Sequence, residues 1–596
     1  MSRLREEEFD QKIDMSLWKR LAAYAWRSKG LVVFSVCSLV CVALVDIAYP
    51  LFNKFAIDFF ITPGTTKGLF WFFAVYVLAV VFQSIGVMCF VSGAGKLEMQ
   101  ISYDIRQEVF LKLQKLSFSF YDKMAVGYLM SRMISDVARL SEMIAWSIVD
   151  VLWALSFVVG CMIAMFSLNW QLALIALCVI PFLAVACVYF QKKILKYQRE
   201  VRRTNSRITG AFNEGIMGAM TTKTLVREQA NLEDFQEITT TMRKASIRSA
   251  VLSAIFMPIV MLLSSVGTAL ALYQGGREVL LGIIGFGTLS AFLSYTTQLF
   301  DPIQQLARIL AEFQSAQAAA ERVLSLLDAP LDITDTAEVE AKYGDSFEPK
   351  TENWPAIHGD ITFEDVGFHY IPEEQILEHF NLHVPAGKSV ALVGETGAGK
   401  STIINLICRF YEPTSGRILV DGVDYKERSQ LWLQRNLGYV LQSPHLFSGT
   451  IRDNIRYARK DASEEEVRRA ARMVHAEQFI LEQEQGYDTE VGEGGIRLST
   501  GQKQLISFAR VILADPRIFV LDEATSSIDT QTEQLIQQAI TTVLQGRTSF
   551  IVAHRLSTIR NSDLILVIGQ GGILEQGTHE QLLTKKGAYY KLYSNQ

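Results

Sequence analysis

The sequence predicts an α-helical membrane domain with six spans, followed by an α/β domain built around a phosphate-binding loop. Three observations lead there. Hydrophobic residues make up 49% and charged residues 20% of the 596 residues, with a mean hydropathy of +0.20, a balance that points to a membrane protein carrying a sizeable soluble part. Apolar runs recur that reach the ~20 residues a helix needs to cross hydrocarbon. Residues 394–402 then read GETGAGKST, which matches G-x-x-x-x-G-K-[ST].

Residues 1–30 are charged and lack the apolar core and small-residue cleavage site of a secretory signal, so the first run is expected to stay as a span. The membrane domain is expected over residues 31–327. Its spans are Leu31–Phe52, Leu69–Ser92, Ile144–Phe166, Leu172–Phe190, Ala250–Tyr273 and Val279–Phe300. The segments between spans two and three and between four and five are rich in Lys and Arg, among them Lys96, Arg106, Lys192 and Arg203. The alternate loops are nearly free of positive charge: Leu168–Gln171 has none and Gln274–Glu278 has only Arg277. Positive charge marks the cytoplasmic side, so both termini are expected in the cytoplasm of a cell bounded by this plasma membrane. The two basic segments keep helical periodicity for most of their length, which places their irregular stretches, Tyr121–Met130 and Asn213–Thr222, far from the bilayer.

The net charge of −5 gives no support for nucleic-acid binding. Six of the seven cysteines fall in apolar stretches and no C-x-x-C pair exists, so they are expected as buried small hydrophobes. Polar residues inside spans are functional candidates. Asp46 lies in the first span, four residues before Pro50; it either faces a cavity or bonds headgroups or a neighbouring helix. Tyr295, Thr296, Thr297 and Gln298 cluster in the sixth span, and helix–helix hydrogen bonding and substrate contact both remain open for them.

The sixth helix is expected to continue to Leu327. Residues 328–356 are acidic and punctuated by proline, which reads as a linker, and an α/β domain is expected over 357–596. Lys388–Val393 reads as a strand and Ser401–Phe410 as a helix, the setting that a phosphate loop requires. The stretch Gly394, Glu395, Thr396, Gly397, Ala398, Gly399, Lys400, Ser401 and Thr402 would turn backbone N–H groups toward phosphate oxygens. Lys400 would reach the β- and γ-phosphates, and Ser401 would ligate Mg²⁺. Tyr370 ends a strand pattern before the loop, where an aromatic can stack on a purine. Gln442, after another strand, can serve Mg²⁺ or its water. Asp522 closes the apolar strand Ile518–Leu521 as a Mg²⁺-site carboxylate, and Glu523 beside it could polarise the attacking water. His554 ends the next apolar strand, where it could reach the γ-phosphate.

These motifs, in this order, resemble those of the ATP-binding cassette exporters, specifically half-transporters of the multidrug and lipid type, and the resemblance covers essentially the whole chain. It implies the type I exporter fold, ATP and Mg²⁺ as cofactors, and an ATP hydrolase coupled to export of an amphipathic drug, lipid or peptide by alternating access. In such proteins Leu498, Ser499, Thr500, Gly501 and Gln502 match the signature, usually LSGGQ, which caps the γ-phosphate held by the opposite subunit. A second half-transporter chain is thereby implied. Ser526–Asp529, with Asp529 last, match the D-loop, and Thr489–Gly495 the loop that contacts the membrane helices. FYDKMAVGYLMSR and GAFNEGIMGAMTTKTL resemble the two intracellular coupling regions.

Departures from the family pattern bear on assembly. Thr500 stands for the first glycine of the signature, and a β-branched residue is strained there if its φ must be positive. Ser527-Ile528 departs from the commoner Ala-Leu, and Gly494 stands where an arginine often sits. An altered signature with Glu523 and His554 intact is the pattern of the competent chain of a heterodimer, which is favoured here over a homodimer. The alternative function on this scaffold is an ATP-gated channel or regulatory subunit, against which the intact Glu523 and His554 argue.

Overall fold

The structure is a computed structural model, and it describes residues 15–442, 444–522, 530–552, 559–569 and 571–594. Packing divides the chain into two units. One holds the residues up to Lys115 together with Met124–Ala329; the other holds Leu116–Lys123 together with Pro330 onward.

The first unit is helical. Among the described residues, five helical segments are long and apolar enough to cross a membrane: Lys29–Ile61, Leu69–Lys115, Val126–Leu168, Trp170–Met217 and Glu228–Leu280. Ahead of them the helix Met15–Arg27 buries Trp18, Leu21 and Tyr24, one face of its 3.6-residue period. Trp18 stacks on Phe313 with ring centroids 4.1 Å apart.

The sixth expected span begins later than Val279. The fifth helix continues to Leu280, and Gly282 turns the chain with φ +70°. The next helix, Phe286–Gln298, starts where Asp58 accepts a hydrogen bond from the Gly287 N–H at 2.9 Å, a carboxylate on a helix N-terminus. A side chain at Gly287 would collide with that carboxylate and with the Lys54 carbonyl. Helix Phe300–Leu327 follows almost directly. The ladder is interrupted at this joint because Pro302 has no N–H to offer the Gln298 carbonyl. The polar residues of this span are engaged in packing: Tyr295 is fully buried and its hydroxyl donates to the Ile47 carbonyl at 2.6 Å, while Thr296 donates to Phe292 within its own helix. Asp46 accepts from Gln83 Nε2 and from the Trp153 side chain, on two other helices.

The second unit contains two sheets. β1 (Ile361–His369), β2 (Gln375–Val384), β4 (Ser415–Val420) and β5 (Val423–Asp424) form an antiparallel sheet in the order β2-β1-β4-β5. The other sheet has the order β10-β9-β3-β8-β7-β6, from β3 (Ser389–Val393), β6 (Leu437–Val440), β7 (Ile518–Asp522), β8 (Thr548–Val552), β9 (Leu564–Gly569) and β10 (Gly572–Gly577). Strands β9, β3, β8, β7 and β6 run parallel. Their sequences are almost continuous apolar runs because both faces are covered. One core gathers Val440, Phe519, Leu521 and Ile551, and the other Val390, Leu392, Val520 and Phe550.

The acidic stretch read as a linker has fixed structure from Pro330 onward. Thr336 caps the helix Ala337–Tyr343, and Asp335 pairs with Arg409 at 2.9 Å. Arg409 is fully buried and also binds Glu412 and the carbonyls of Tyr425 and Arg428. Acidity there serves a buried cation, and composition alone does not distinguish that from solvation.

Candidate functional site

Parallel pairing sets the ends of four strands side by side. Leu392 of β3 and Asp522 of β7 both lie opposite Val552 of β8, and Val440 of β6 lies opposite Leu521. The loops leaving these ends carry the candidate residues, at the carboxyl edge where open α/β sheets bind ligands. β3 leads into residues 394–399, and β6 into Gln442, which is exposed two residues beyond its end. Asp522 closes β7. Glu523, Asp529 and His554 lie outside the described residues; in sequence Glu523 follows β7 directly and His554 follows β8 by two positions.

The loop after β3 depends on its glycines. Gly397 has φ +84° and Gly399 φ +95°, a region that side chains disfavour. The helix Lys400–Ile407 begins one residue earlier than expected and stops short of Phe410. Lys400 is buried, and its Nζ donates to the carbonyls of Gly394 at 2.8 Å and Glu395 at 2.7 Å, bracing the loop from inside. Burial lowers its pKa, and the nearby Asp522 charge opposes that shift. Ser401 is exposed at the first turn of this helix, with Thr402 buried beside it.

Tyr370 approaches the same helix from the antiparallel sheet. Its hydroxyl lies 3.3 Å from Thr402 Oγ1 and accepts from Asn405 Nδ2 at 3.2 Å. Its ring stays partly exposed and meets Tyr411 edge-on, with centroids 5.0 Å apart. Tyr411 donates to Asp122 Oδ2 at 2.6 Å, and Phe410 packs on Phe118 at 4.1 Å, so the short helix Phe118–Lys123 sits within this unit. Asn405, Arg409 and Tyr411 escaped the sequence reading. The string RFYEP straight after the loop helix, with two aromatics beside a cation, was the available signal.

The signature residues form a helix start. Ser499 caps the helix Thr500–Ala514, accepting from Gln502 N, while Gln502 Oε1 accepts from Ser499 N at 3.0 Å. S-x-x-Q is itself a capping-box sequence, so the serine and the glutamine are required by the local fold. Leu498 and Gly501 are buried. Thr500 occupies the first helical position, is exposed, and is not among the left-handed residues. The strain expected for it does not arise, because no positive φ is needed there. Gly494 does need one, with φ +60°, and its carbonyl accepts from Lys503 Nζ.

Of the membrane candidates, Asp46 and Tyr295 bond neighbouring helices, and Gln298 is exposed. All seven cysteines are free; Cys161, Cys187 and Cys408 are buried, whereas Cys37 and Cys178 are exposed and Cys41 and Cys89 half-buried, against the burial expected for them, and no metal-ligating group of His, Cys, Asp and Glu occurs among the described residues.

Residues 32–303 match the ABC transporter transmembrane region and residues 377–526 the ABC transporter domain. An ABC transporter ATP-binding protein of Bacillus subtilis (strain 168) is 36% identical over 578 residues, 97% of this chain and 94% of that protein. The ATP-dependent lipid A-core flippase of Desulfotalea psychrophila is 36% identical over 531 residues, 89% of this chain and 88% of its own length. A solved bacterial Atm1-family ABC exporter with ATP bound superposes with a TM-score of 0.76 at 28% identity, covering 95% of this chain and 98% of that one. The chain belongs to the ABC transporter family: a multi-pass membrane protein that binds and hydrolyses ATP to drive export.

Proposed function

We propose that this chain is one half of a two-chain exporter that moves an amphipathic, lipid-like molecule out of the cytoplasmic leaflet of a bacterial plasma membrane. The convergence of the phosphate loop, Asp522 and Gln442 at one sheet edge carries the ATPase part of this reading. The name of the flippase relative supports a lipid among amphipathic candidates. The orientation follows from the basic segments, with both termini cytoplasmic.

In the ATP site Lys400 binds the β- and γ-phosphates, the 394–399 backbone cradles them, and Tyr370 stacks on the adenine. Ser401, Gln442 and Asp522 offer a hydroxyl, an amide and a carboxylate, an all-oxygen set that suits Mg²⁺. The ion would neutralise phosphate charge. Glu523 takes the proton of the attacking water and His554 steadies the γ-phosphate. The signature of the second chain completes the site through its capped helix N-terminus.

The need for a second chain also has a structural support. At the second hairpin turn Ile216, Met217, Met220, Leu225 and Val226 are all exposed, an apolar tip that another surface would cover. We favour a partner of different sequence. Because Thr500 is exposed at the helix start, its side chain acts on whatever docks there and leaves its own fold undisturbed.

The deciding experiment is Glu523→Gln in the purified, reconstituted chain, with and without a co-expressed partner. ATP binding should persist while turnover stops. Near wild-type hydrolysis would remove Glu523 from its role. A homodimer turning over ATP at both sites would replace the heterodimer, and a panel of labelled amphipaths tests the cargo.

A further inference from the structure

The residues behind the phosphate loop form a continuous chain of contacts that no motif assigns. Tyr370, whose ring is partly exposed, holds its hydroxyl against Thr402 and Asn405 on the loop helix. Asn405 also accepts, through its carbonyl, from the Phe410 and Tyr411 N–H groups at 2.9 and 3.4 Å. One residue therefore ties the Tyr370 hydroxyl to the Tyr411 backbone. The Tyr411 ring meets Tyr370 at an interplanar angle of 88° and Phe368 at 75°. Its hydroxyl then donates to Asp122 at 2.6 Å, in the first hairpin turn. That turn has a second tether, Ser119 Oγ to Asp332. Residues 115 and 124, which flank it, belong to the membrane unit.

We propose that Tyr411 is a positioning residue that couples the stacking state of Tyr370 to the first hairpin turn. The two rings stand perpendicular with centroids 5.0 Å apart, so a displacement of the Tyr370 ring on covering a purine is passed to Tyr411, since close-packed rings move together. The displacement passes along the Tyr411 side chain to the hydroxyl, and from there to Asp122. Burial first, and the bond to Asp122 second, raise the Tyr411 pKa, so the hydroxyl stays a donor throughout the neutral range. The inference rests on Tyr370 as the adenine-stacking residue.

The test uses the full chain in nanodiscs, with TNP-ATP affinity and amide exchange of residues 116–131 measured with and without ATP. Tyr411→Phe removes only the hydroxyl. It should keep TNP-ATP affinity within about twofold and cut the ATP-dependent change in exchange at least about fivefold, the scale of one charge-assisted hydrogen bond. Asp122→Ala should do the same, the double variant should be no worse than either single one, and Asp122→Asn, which keeps an acceptor, should retain most of the response. A merely structural role would change exchange equally with and without ATP. A wild-type response in both Tyr411→Phe and Asp122→Ala, or no ATP response at 116–131 in the wild type, would overturn the proposal. If Tyr411→Phe does not fold, Asp122→Ala decides. Tyr370→Ala separates the two readings: it should weaken TNP-ATP about tenfold through lost base stacking, and unchanged affinity would remove the stacking role itself.

Discussion

The two hairpin turns of the membrane helices do the same geometric work and meet opposite surroundings. The first, Leu116–Lys123, is held by its own chain: Phe118 on Phe410, Asp122 on Tyr411, Ser119 on Asp332. The second runs from Gly218 through the helix Ala219–Thr224 to Arg227 and exposes Met220, Leu225 and Val226. Val226 also has φ +53°, a conformation costly for a β-branched residue. The first turn is stable because one chain supplies both sides of its contacts. The second retains exposed apolar surface and backbone strain, which agrees with the second chain proposed above. Proteins store strain where function needs it.

The sharpest way to break this contrast is to erase the second turn. Replacing 218–227 with a Gly/Ser stretch should reduce ATP-driven uptake of Hoechst 33342 into inverted vesicles by about tenfold or more, while basal ATPase stays within about twofold. Equal loss of both would mean that the segment is needed for folding.

Arg409 tests the anchoring of the first turn from beneath. Arg409→Ala removes the buried cation from the half-buried Asp335, while Glu412 keeps Lys426 at 3.2 Å, and should cost about 3 kcal/mol, visible as a lower unfolding midpoint of the nucleotide-binding unit. An unchanged midpoint would show that the pairs do not hold the 330–336 stretch.

Paired truncations then sharpen the comparison. Phe118→Ala removes an aromatic contact and should destabilise the chain by about 1–3 kcal/mol. Met220→Ser, at the exposed tip, should stay within about 0.5 kcal/mol in a chain purified without its partner. Equal effects in a denaturant titration would erase the distinction between the turns.

A small stability effect is also expected at the signature. Thr500→Gly changes an exposed first helical position and should alter stability by less than about 1 kcal/mol. Any larger consequence must appear in ATP turnover measured with a partner chain present. No change in turnover with a partner would support a homodimer in which threonine is tolerated.

Much of the site was legible because its chemistry is local. The phosphate loop needs glycines at fixed offsets between a strand and a helix, and GETGAGKST states those offsets outright. The capping box is equally local, since Ser499 and Gln502 satisfy each other across one turn. The strand ends that carry Gln442 and Asp522 were visible as apolar runs, although the order that sets them side by side was not.

By itself the sequence determined the membrane and ATPase units, the basic and neutral loops, and the residue types of the ATP site, because hydrophobicity, charge and backbone freedom act within a few residues. Tertiary structure alone decided that Asp335 answers a buried Arg409, that Asp46 and Tyr295 are committed to neighbouring helices, that Thr500 escapes strain, and that Tyr411 joins Tyr370 to Asp122. Asp122 and Tyr411 are separated by 289 positions, and no periodicity or spacing rule spans such a distance. Only the packing of distant segments brings a donor within reach of its acceptor.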